Sequence, residues 1–382
     1  MPVTALAAIP LLTWIYLVAF RGGFWRISKY VALLEPGQRP TERVAVVIPA
    51  RNEADVIGPA LTSLFEQDFP APLHVFLVDD GSTDKTAAVA VDIADRSDRQ
   101  DCLTIVTGQP LVKGWTGKLW ALSQGITQAH ALAPDYLLLT DADIVHGRDS
   151  VSKLVATAKT NRYDLASYMV KLACESFAEK ALLPAFVFFF LKLYPPSWIA
   201  SQKFRTAAAA GGCMLIRSEA LKRISGLAAI RGEVIDDCAL AREVKRTGGR
   251  IWMGLTSTTE SIRPYGTFRE IESMISRTAF NQLRHSLLLL IATVVGLIFT
   301  YVLPLLLLLT SKRPAMILGV LAWLLMSVAY LPTVRFYKLS PVWSLSLPLV
   351  ACFYMAATIH SAFQYWRGLG GRWKGRVQDA RS

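Results

Sequence analysis

The sequence has few charged residues and little of what usually forms a disulfide or a structural metal site. Only 18% of its 382 residues are charged, against about 25% in an ordinary soluble domain. With a mean hydropathy of +0.36, this excludes a disordered chain and argues against a purely soluble enzyme. The five cysteines are scattered, with no CxxC motif and no zinc-type cluster with the five histidines. We therefore predict no disulfide scaffold and expect the soluble part to face the reducing cytosol.

Hydrophobic residues are concentrated towards the two ends of the chain. Val3–Phe20 is uncharged and about long enough to cross a bilayer. It lacks the basic start and the cleavage site of a signal peptide, so we interpret it as an anchor. Three further uncharged runs are predicted to be transmembrane helices: Leu287–Leu309, Ala315–Val334 and Pro341–Phe363.

Positive charge beside these runs predicts their orientation. By the positive-inside rule, the segment after the first run is placed in the cytoplasm by Arg21, Arg26 and Lys29. Three complete C-terminal spans would put the basic tail outside, which contradicts the same rule. Either the rule fails here or one of the three runs is re-entrant, and Pro341–Phe363, which contains Pro348 and His360, is our candidate for a re-entrant segment.

A fourth apolar segment, Leu182–Ala200, is broken by three prolines and a lysine. We predict that it is too interrupted to span and lies as an interfacial helix; a buried core helix remains the alternative. The expected organisation is an anchor over 1–22, a cytoplasmic catalytic domain over 43–285 with its interfacial segment 182–200, membrane or re-entrant helices over 286–366, and a basic cytoplasmic tail over 367–382.

The region between the apolar ends has the pattern of an α/β domain. Val44–Ile48 and His74–Val78 are short runs rich in β-branched residues, and each is followed by a helical pattern. They predict parallel strands whose carboxyl ends meet at one sheet edge, where such folds bind ligands. Asp79 and Asp80 follow the second strand, and adjacent carboxylates there are costly without a ligand or cation. Asp84 is expected to be a plain helix cap.

A third predicted strand, Tyr136–Thr140, runs directly into Asp141 and Asp143. Two carboxylates at this spacing can turn towards one Mg²⁺ or Mn²⁺, whose shell is then completed by substrate phosphates and water. Lys118, which lies between the acidic motifs, could meet a phosphate as a point charge. The simpler interpretation of Lys118 is a solvated helix lysine.

Two later motifs complete the pattern. Gly211 and Gly212 allow close backbone approach or unusual φ angles, and a strand is predicted from Cys213. Asp236 and Asp237 begin an amphipathic helix, a position where acids often serve only as caps.

In this order, the motifs resemble those of the membrane-bound family 2 glycosyltransferases. The matching strings are VVIPARNEADVI, LVDDGSTDKT, GKLWAL, TDADI, GGCMLIR, IDDCALAREVKRTGGRI and the arginine-rich segment before the membrane. The resemblance covers nearly the whole chain. More narrowly, RGGFW, WTGKLWAL, DADIVH, PAFVFFFLKLYP and AAAAGGCMLIR are similar to the hopene-associated glycosyltransferases of hopanoid gene clusters.

The resemblance implies an α/β GT-A (Rossmann-like) fold with N- and C-terminal transmembrane helices, Mg²⁺ or Mn²⁺, and inversion at the anomeric carbon. The implied donor is a nucleotide-diphosphate sugar, with a UDP-sugar favoured. Asp237, supported by Asp236, would be the general base, and Asp141 and Asp143 would meet the metal. The implied acceptor side comprises Gly211, Gly212 and Cys213. The implied donor-binding residues are Pro49, Arg51, Glu53, Asp79, Asp80, Lys118, Asp141, Arg277 and Arg284.

The implied reaction is a single transfer. Where processive relatives carry a QxxRW-type motif, this chain has NQLRH over 281–285. We therefore expect one sugar to pass to a membrane lipid of hopanoid or polyprenyl type, at the bacterial inner membrane with a cytoplasmic catalytic domain. The alternatives are a processive polysaccharide synthase, a polyprenyl-phosphate glycosyltransferase and an inactive membrane scaffold. The net charge of +12 lies largely beside apolar runs, so anionic lipid rather than nucleic acid is the expected partner.

Overall fold

The computed structural model describes residues 2–30, 40–369, 372–373 and 376–377. They fall into two compact units. The apolar unit comprises 1–29, 174–197 and 264–371, and the sheet unit comprises 30–173, 198–263 and 372–382. This division differs from the predicted domain boundaries, because 182–197 and 264–285 group with the apolar helices. The predicted tail 367–382 lies largely outside the described residues.

The sheet unit is built on an eight-stranded mixed sheet in the order β3-β2-β1-β4-β7-β6-β8-β5. Strands β1 to β4 run parallel, and β7 runs antiparallel to both β4 and β6. The strands are β1 Val44–Ala50, β2 His74–Asp79, β3 Leu103–Thr107, β4 Tyr136–Thr140, β5 Ile144–Val145, β6 Leu165–Leu172, β7 Cys213–Arg217 and β8 Ile251–Ser261. A small antiparallel pair joins Arg372–Trp373 to Arg376–Val377.

The helices of the described residues follow the chain as α1 Pro2–Phe20, α2 Ile57–Phe65, α3 Thr86–Arg96, α4 Gly117–Ala129, α5 Ser150–Asn161, α6 Phe177–Leu193, α7 Pro196–Ala200, α8 Ser218–Arg223, α9 Asp236–Arg246, α10 Phe268–Gln282, α11 Leu287–Leu297, α12 Leu303–Leu308, α13 Arg313–Phe336 and α14 Leu347–Trp366. A π-helical turn, Ile298–Val302, joins α11 to α12.

The predicted strands form because their apolar runs are covered on both faces. All seven residues of β1 and all five of β4 are buried, as expected for central parallel strands. The carboxyl ends of β1, β2, β4 and β6 and the amino end of β7 lie at the same edge of the sheet, because β7 runs in the opposite direction. That edge collects the predicted acidic motifs.

In the apolar unit, the segment around α6 is more continuous than the sequence predicts. Ser176 and Glu179 form a capping box at the start of α6, and Pro184 lies inside the helix without ending it. By length and composition, Phe177–Ala200 is sufficient to cross a membrane. Residues on both sides of this segment, 30–173 and 198–263, belong to the same sheet unit. The placement of Leu182–Ala200 as an interfacial helix that does not span therefore stays a prediction.

Three further helices also have the length and apolar composition to cross a membrane: Leu287–Leu308, Arg313–Phe336 and Pro341–Trp366. Pro348 lies at the start of α14 rather than in its middle, because a 3₁₀ turn over Pro341–Ser346 precedes it. Re-entrance of this last segment stays a prediction. The N-terminal apolar helix, Ala5–Phe20, is shorter than these.

Candidate active site

The loops after β1 and β2 are joined to each other. Asn52 adopts a left-handed conformation with φ +53°, and its side-chain oxygen accepts a 2.7 Å hydrogen bond from the Thr83 amide. Asp79 Oδ1 accepts the Ser82 amide at 2.9 Å. Asp80 is buried, and its carboxylate lies 3.7 Å from Arg51 Nη1. The predicted donor-binding residues Arg51, Asp79 and Asp80 are thus held in one rigid pair of loops.

Pro49 and Asp84 have structural places in the same region. Pro49 lies in β1 opposite Val78, beyond Val47, where the pairing of β1 with β4 ends. Asp84 accepts hydrogen bonds from the amides of Thr86 at 3.0 Å and Ala54 at 3.1 Å. The helix itself begins at Thr86 with Lys85 as its N-cap, so Asp84 secures the preceding turn rather than occupying the predicted N-cap position.

Lys118 joins the two acidic motifs. It lies in the first turn of α4, and its Nζ is 2.8 Å from Asp141 Oδ1 and 3.5 Å from Asp236 Oδ2. Burial would lower the pKa of Lys118, but the negative charges of Asp141, Asp236 and Asp237 raise it above its usual value. Lys118 is therefore a largely buried cation, with 17% of its side chain exposed, and the alternative of a solvated helix lysine is wrong.

Asp237 is held at the start of α9 by two main-chain donors. The Gly211 amide donates to Oδ2 at 2.9 Å and the Cys238 amide to Oδ1 at 2.6 Å. Burial and the neighbouring charge of Asp236 raise the pKa of Asp237 to about 6. A carboxyl with a pKa near neutrality can accept a proton in a transition state more effectively than an ordinary aspartate.

The glycine pair explains how β7 approaches this carboxylate. A Cβ on Gly211 would lie 3.3 Å from Asp237 Oδ2 and 3.5 Å from Lys118 Nζ. A side chain at position 211 would thus intrude between the base and the cation. The Gly212 carbonyl accepts a 2.8 Å hydrogen bond from Thr140. Cys213 differs from its neighbours, because its side chain is buried in the core, where burial raises its pKa to about 12.

A second charged cluster surrounds Asp143. Its Oδ2 accepts a 2.7 Å hydrogen bond from the Ser261 hydroxyl and lies 3.3 Å from Arg263 Nε. Arg263 also pairs with the buried Glu53 at 2.5 Å. Burial and the charge of Asp141 raise the pKa of Asp143, while Arg263 and Ser261 lower it. Predicted donor-site residues from two loops are thus connected through one arginine.

Arg263 and Ser261 are not among the residues that the sequence predicts for the site. They lie at and just after the end of β8, which pairs with β6 through a register shift between Met169 and Lys171. The sequence signal that could have pointed to Arg263 is weak, because it consists only of an arginine before a proline just after a strand rich in Ser and Thr. Nothing local indicates that β8 delivers this arginine to the acidic edge.

The predicted phosphate partners Arg277 and Arg284 belong to the apolar unit. Both side chains are exposed, and Arg284 has φ +52° just after α10. Neither forms an ion pair within the part of the chain that the structure describes. Their role in donor binding stays a prediction.

Asp141 and Asp143 stay the predicted metal ligands, with the rest of the coordination shell left to substrate and water. Among the described residues, no group of three or more His, Cys, Asp or Glu side chains could hold an ion by itself. A Mg²⁺ or Mn²⁺ held by one or two carboxylates completes its shell with phosphates and water. Burial raises the pKa of Asp143 most, and the negative charge of Asp141 adds to this effect.

Comparisons with known proteins bear on the family and on the fold. The family model described as "Glycosyltransferase like family 2" matches residues 40–281. The 4,4'-diaponeurosporenoate glycosyltransferase of Staphylococcus aureus is 34% identical over 130 residues, or 32% of this chain. This match spans only 28% of the length of that relative.

Among solved structures, the mannosyltransferase PcManGT from Pyrobaculum calidifontis, in complex with GDP-Man and Mn²⁺, matches with a TM-score of 0.58 at 20% identity. The match covers 94% of this chain and 99% of that chain. At this level of identity the likeness shows a shared fold, and the predicted GT-A-like α/β fold with long apolar helices is confirmed.

Proposed function

Because the chain belongs to the glycosyltransferase-like family 2, we propose that it transfers one sugar, with inversion, from a nucleotide-diphosphate sugar to a hydroxyl of a membrane lipid. Inverting transfer is an in-line displacement in which the acceptor hydroxyl loses its proton as it attacks. A carboxylate positioned to accept that proton contributes about 10²–10⁴ in rate. The proposal therefore depends on one well-placed base.

The observation that carries the proposal is the state of Asp237. Its two carboxylate oxygens are fixed by the amides of Gly211 and Cys238, and its pKa is raised to about 6. It is thus ionised at neutral pH yet basic enough to accept a proton. Asp236 lies beside it with Lys118 at 3.5 Å, which supports a role in shaping the charge of the site rather than in proton transfer.

On the donor side, a cluster of charges suits a diphosphate. Lys118 and Arg263 supply positive charge next to Asp141 and Asp143. Arginine binds phosphate oxygens in a bidentate manner, and lysine binds them as a point charge. Asp143 and Asp141 would hold Mg²⁺ or Mn²⁺, which supplies neutralisation of the charge that develops on the leaving diphosphate. The nucleotide is proposed to lie on the loops that contain Asp79 and Asp80.

Several features support a lipid acceptor at the membrane. Four helices of the described chain are long and apolar enough to cross a bilayer. The S. aureus relative is, by its name, a 4,4'-diaponeurosporenoate glycosyltransferase, and the sequence resembles hopene-associated enzymes. We propose a hopanoid or another polycyclic or polyprenyl lipid as acceptor. The proposed location is the bacterial inner membrane, with the sheet unit in the cytoplasm.

Asp237→Asn tests the proposal. The amide keeps the shape and one hydrogen-bond acceptor but cannot take a proton, so we expect transfer to fall by about 10²–10⁴ while calorimetry shows unchanged donor binding. Asp92→Asn, at an exposed surface pair with Arg96, is the matched control and should keep full activity. Undiminished transfer by Asp237→Asn, or labelled sugar appearing only in a water-soluble polymer, would contradict the proposal.

A further inference from the structure

The loop between β3 and α4, residues 108–116, is pinned at both ends. At its start, the Gln109 amide donates to Gln124 Oε1 at 2.7 Å, and the Gln109 carbonyl accepts the Trp120 indole N–H at 3.1 Å. At its end, the Thr116 amide donates to the Arg231 carbonyl at 2.8 Å. Since both ends are fixed to neighbouring elements, the loop has a defined course.

The tip of this loop is a turn that presents apolar side chains to solvent. The Trp115 amide donates to the Val112 carbonyl at 3.1 Å, and Gly114 has φ +85°, a conformation that favours glycine. Leu111 is 37% exposed and Val112 46% exposed. A single exposed apolar residue is normal, but two adjacent ones on a pinned turn form a candidate contact surface.

Two tryptophans continue this apolar surface towards α4. Trp115 and Trp120 pack edge to face, with their ring centroids 5.3 Å apart. Both are only partly buried. Tryptophan offers a large apolar face together with a polar N–H group, which suits contact with an amphipathic molecule. We call Leu111, Val112, Trp115 and Trp120 the apolar tip.

The apolar tip leads directly into the proposed active site. Thr116 caps α4 by accepting the Leu119 amide, and Lys118, in the first turn, contacts Asp141 and Asp236. A charged site and an apolar surface thus adjoin within a few residues of chain. This arrangement matches a molecule with a polar hydroxyl-bearing end and a hydrocarbon body.

From this juxtaposition we infer that the apolar tip binds the hydrocarbon body of the acceptor lipid, next to its reacting hydroxyl. The inference rests on the proposed function, since it assigns the acceptor's place in the same site. Leu111 and Val112 would supply non-directional apolar contact, and each tryptophan would supply a rigid aromatic ring. The tip selects acceptors by their hydrocarbon next to the hydroxyl, so a fully water-soluble acceptor gains nothing from it.

A photoreactive analogue of hexadecanol, carrying a diazirine near the hydroxyl, tests the inference with the full chain in detergent micelles. Trypsin cuts after Arg99 and Lys113, so labelling of Leu111 and Val112 appears in peptide 100–113. Peptide 86–96 is an internal control, because its Val91 is also 46% exposed. We expect saturable labelling of 100–113, about fivefold or more above that of 86–96, since each buried aliphatic side chain adds about tenfold in affinity.

Val112→Ser should lower the affinity of this labelling by about three- to tenfold, since 46% of Val112 is exposed before binding, and the matched Val91→Ser should leave it unchanged. Donor binding measured by calorimetry should be the same in both variants, which shows that the site around Lys118 is intact. Labelling that rises linearly with probe and falls equally on both peptides would overturn the inference, because it indicates detergent or bilayer contact alone. A loss of donor binding in Val112→Ser would also overturn it.

The two proposals fail in different ways. If the wild-type protein transfers sugar to lipid but shows no preferential labelling of 100–113, the assignment of the apolar tip is wrong and the proposed function stands. If labelling is saturable and specific but no sugar reaches any lipid, the apolar tip binds a lipid alcohol and the proposed transfer is wrong.

Discussion

The pH dependence of transfer follows from the environment of Asp237. As the base must be ionised, kcat/KM should rise about tenfold per pH unit below pH 6 and level off above it, because burial and Asp236 raise the pKa of Asp237 to about 6. Neighbouring charges should move this midpoint in opposite directions. Asp236→Asn removes a charge that raises the pKa, and Lys118→Met removes one that lowers it.

The size of the second shift can be bounded from the structure. A Cβ on Gly211 would lie 3.5 Å from Lys118 Nζ and 3.3 Å from Asp237 Oδ2, so these two atoms are at most about 7 Å apart. At this largest separation, a unit charge contributes about 0.6 kcal/mol at an effective dielectric constant of about 80 and about 2.4 kcal/mol at about 20, which is about 0.4 to 1.7 pKa units. A shorter separation gives a larger interaction, so Lys118→Met should raise the midpoint by at least about 0.4 pKa units.

The assay is kcat/KM for transfer from pH 4.5 to 8 at saturating acceptor, for the wild type and both variants, with rates normalised to each plateau. Normalisation separates the midpoint from the loss of rate that either variant causes through donor binding. Midpoints that move in the same direction in Asp236→Asn and Lys118→Met would refute the reasoning. So would a midpoint near 6 that persists in Asp237→Asn.

Stability gives an independent check of the same pKa. Between the ordinary aspartate pKa of about 4 and about 6, the unfolded chain has lost the Asp237 proton and the folded chain has kept it. The free energy of unfolding therefore falls as pH rises through this window and is not regained above it. The difference in melting temperature, Asp237→Asn minus wild type, should therefore increase from pH 4 to pH 6. Equal melting temperatures across the window would contradict the raised pKa.

Three further outcomes are expected. Asp143→Ala should abolish most divalent-dependent donor binding in calorimetric titration. Asp84→Ala, which removes the acceptor of the Thr86 and Ala54 amides, should cost about 1 kcal/mol of stability and leave the divalent dependence of donor binding intact. Equal donor affinity with and without Mn²⁺ in the wild type would contradict the metal assignment. Arg263→Met should lower the melting temperature, because Glu53 and Asp143 lose the cation that they share. Added Mn²⁺ should raise the melting temperature of this variant by more than it raises that of the wild type. An unchanged melting temperature in the variant would show that the arginine is dispensable. A cysteine at Ser382 should resist an impermeant reagent added outside intact cells, since the tail from 367 onward is rich in Lys and Arg; labelling from outside would mean three complete C-terminal spans.

Local sequence patterns are sufficient to locate much of the site. Runs of β-branched and apolar residues predict β1, β2 and β4, and acidic residues directly after them predict where carboxylates gather, because parallel strands end at a common edge. The sequence also predicts the start of α9, since Asp236 and Asp237 begin an amphipathic helix. These features depend on interactions between residues close in the chain, which sequence periodicity reports well.

Long-range pairing supplies the contacts that local patterns do not predict. Because β7 runs antiparallel between β4 and β6, it carries the Gly211 amide to Asp237 and buries Cys213. The register of β8 against β6 brings Arg263 to Asp143. Lys118 is a buried partner of two aspartates only because α4 and α9 begin at the same edge of the sheet. Local periodicity and side-chain chemistry are thus enough to locate β1, β2, β4, β7 and the acidic motifs. Which charged side chains form ion pairs with each other depends on the tertiary structure, since strand order and register bring together residues that lie far apart in the sequence.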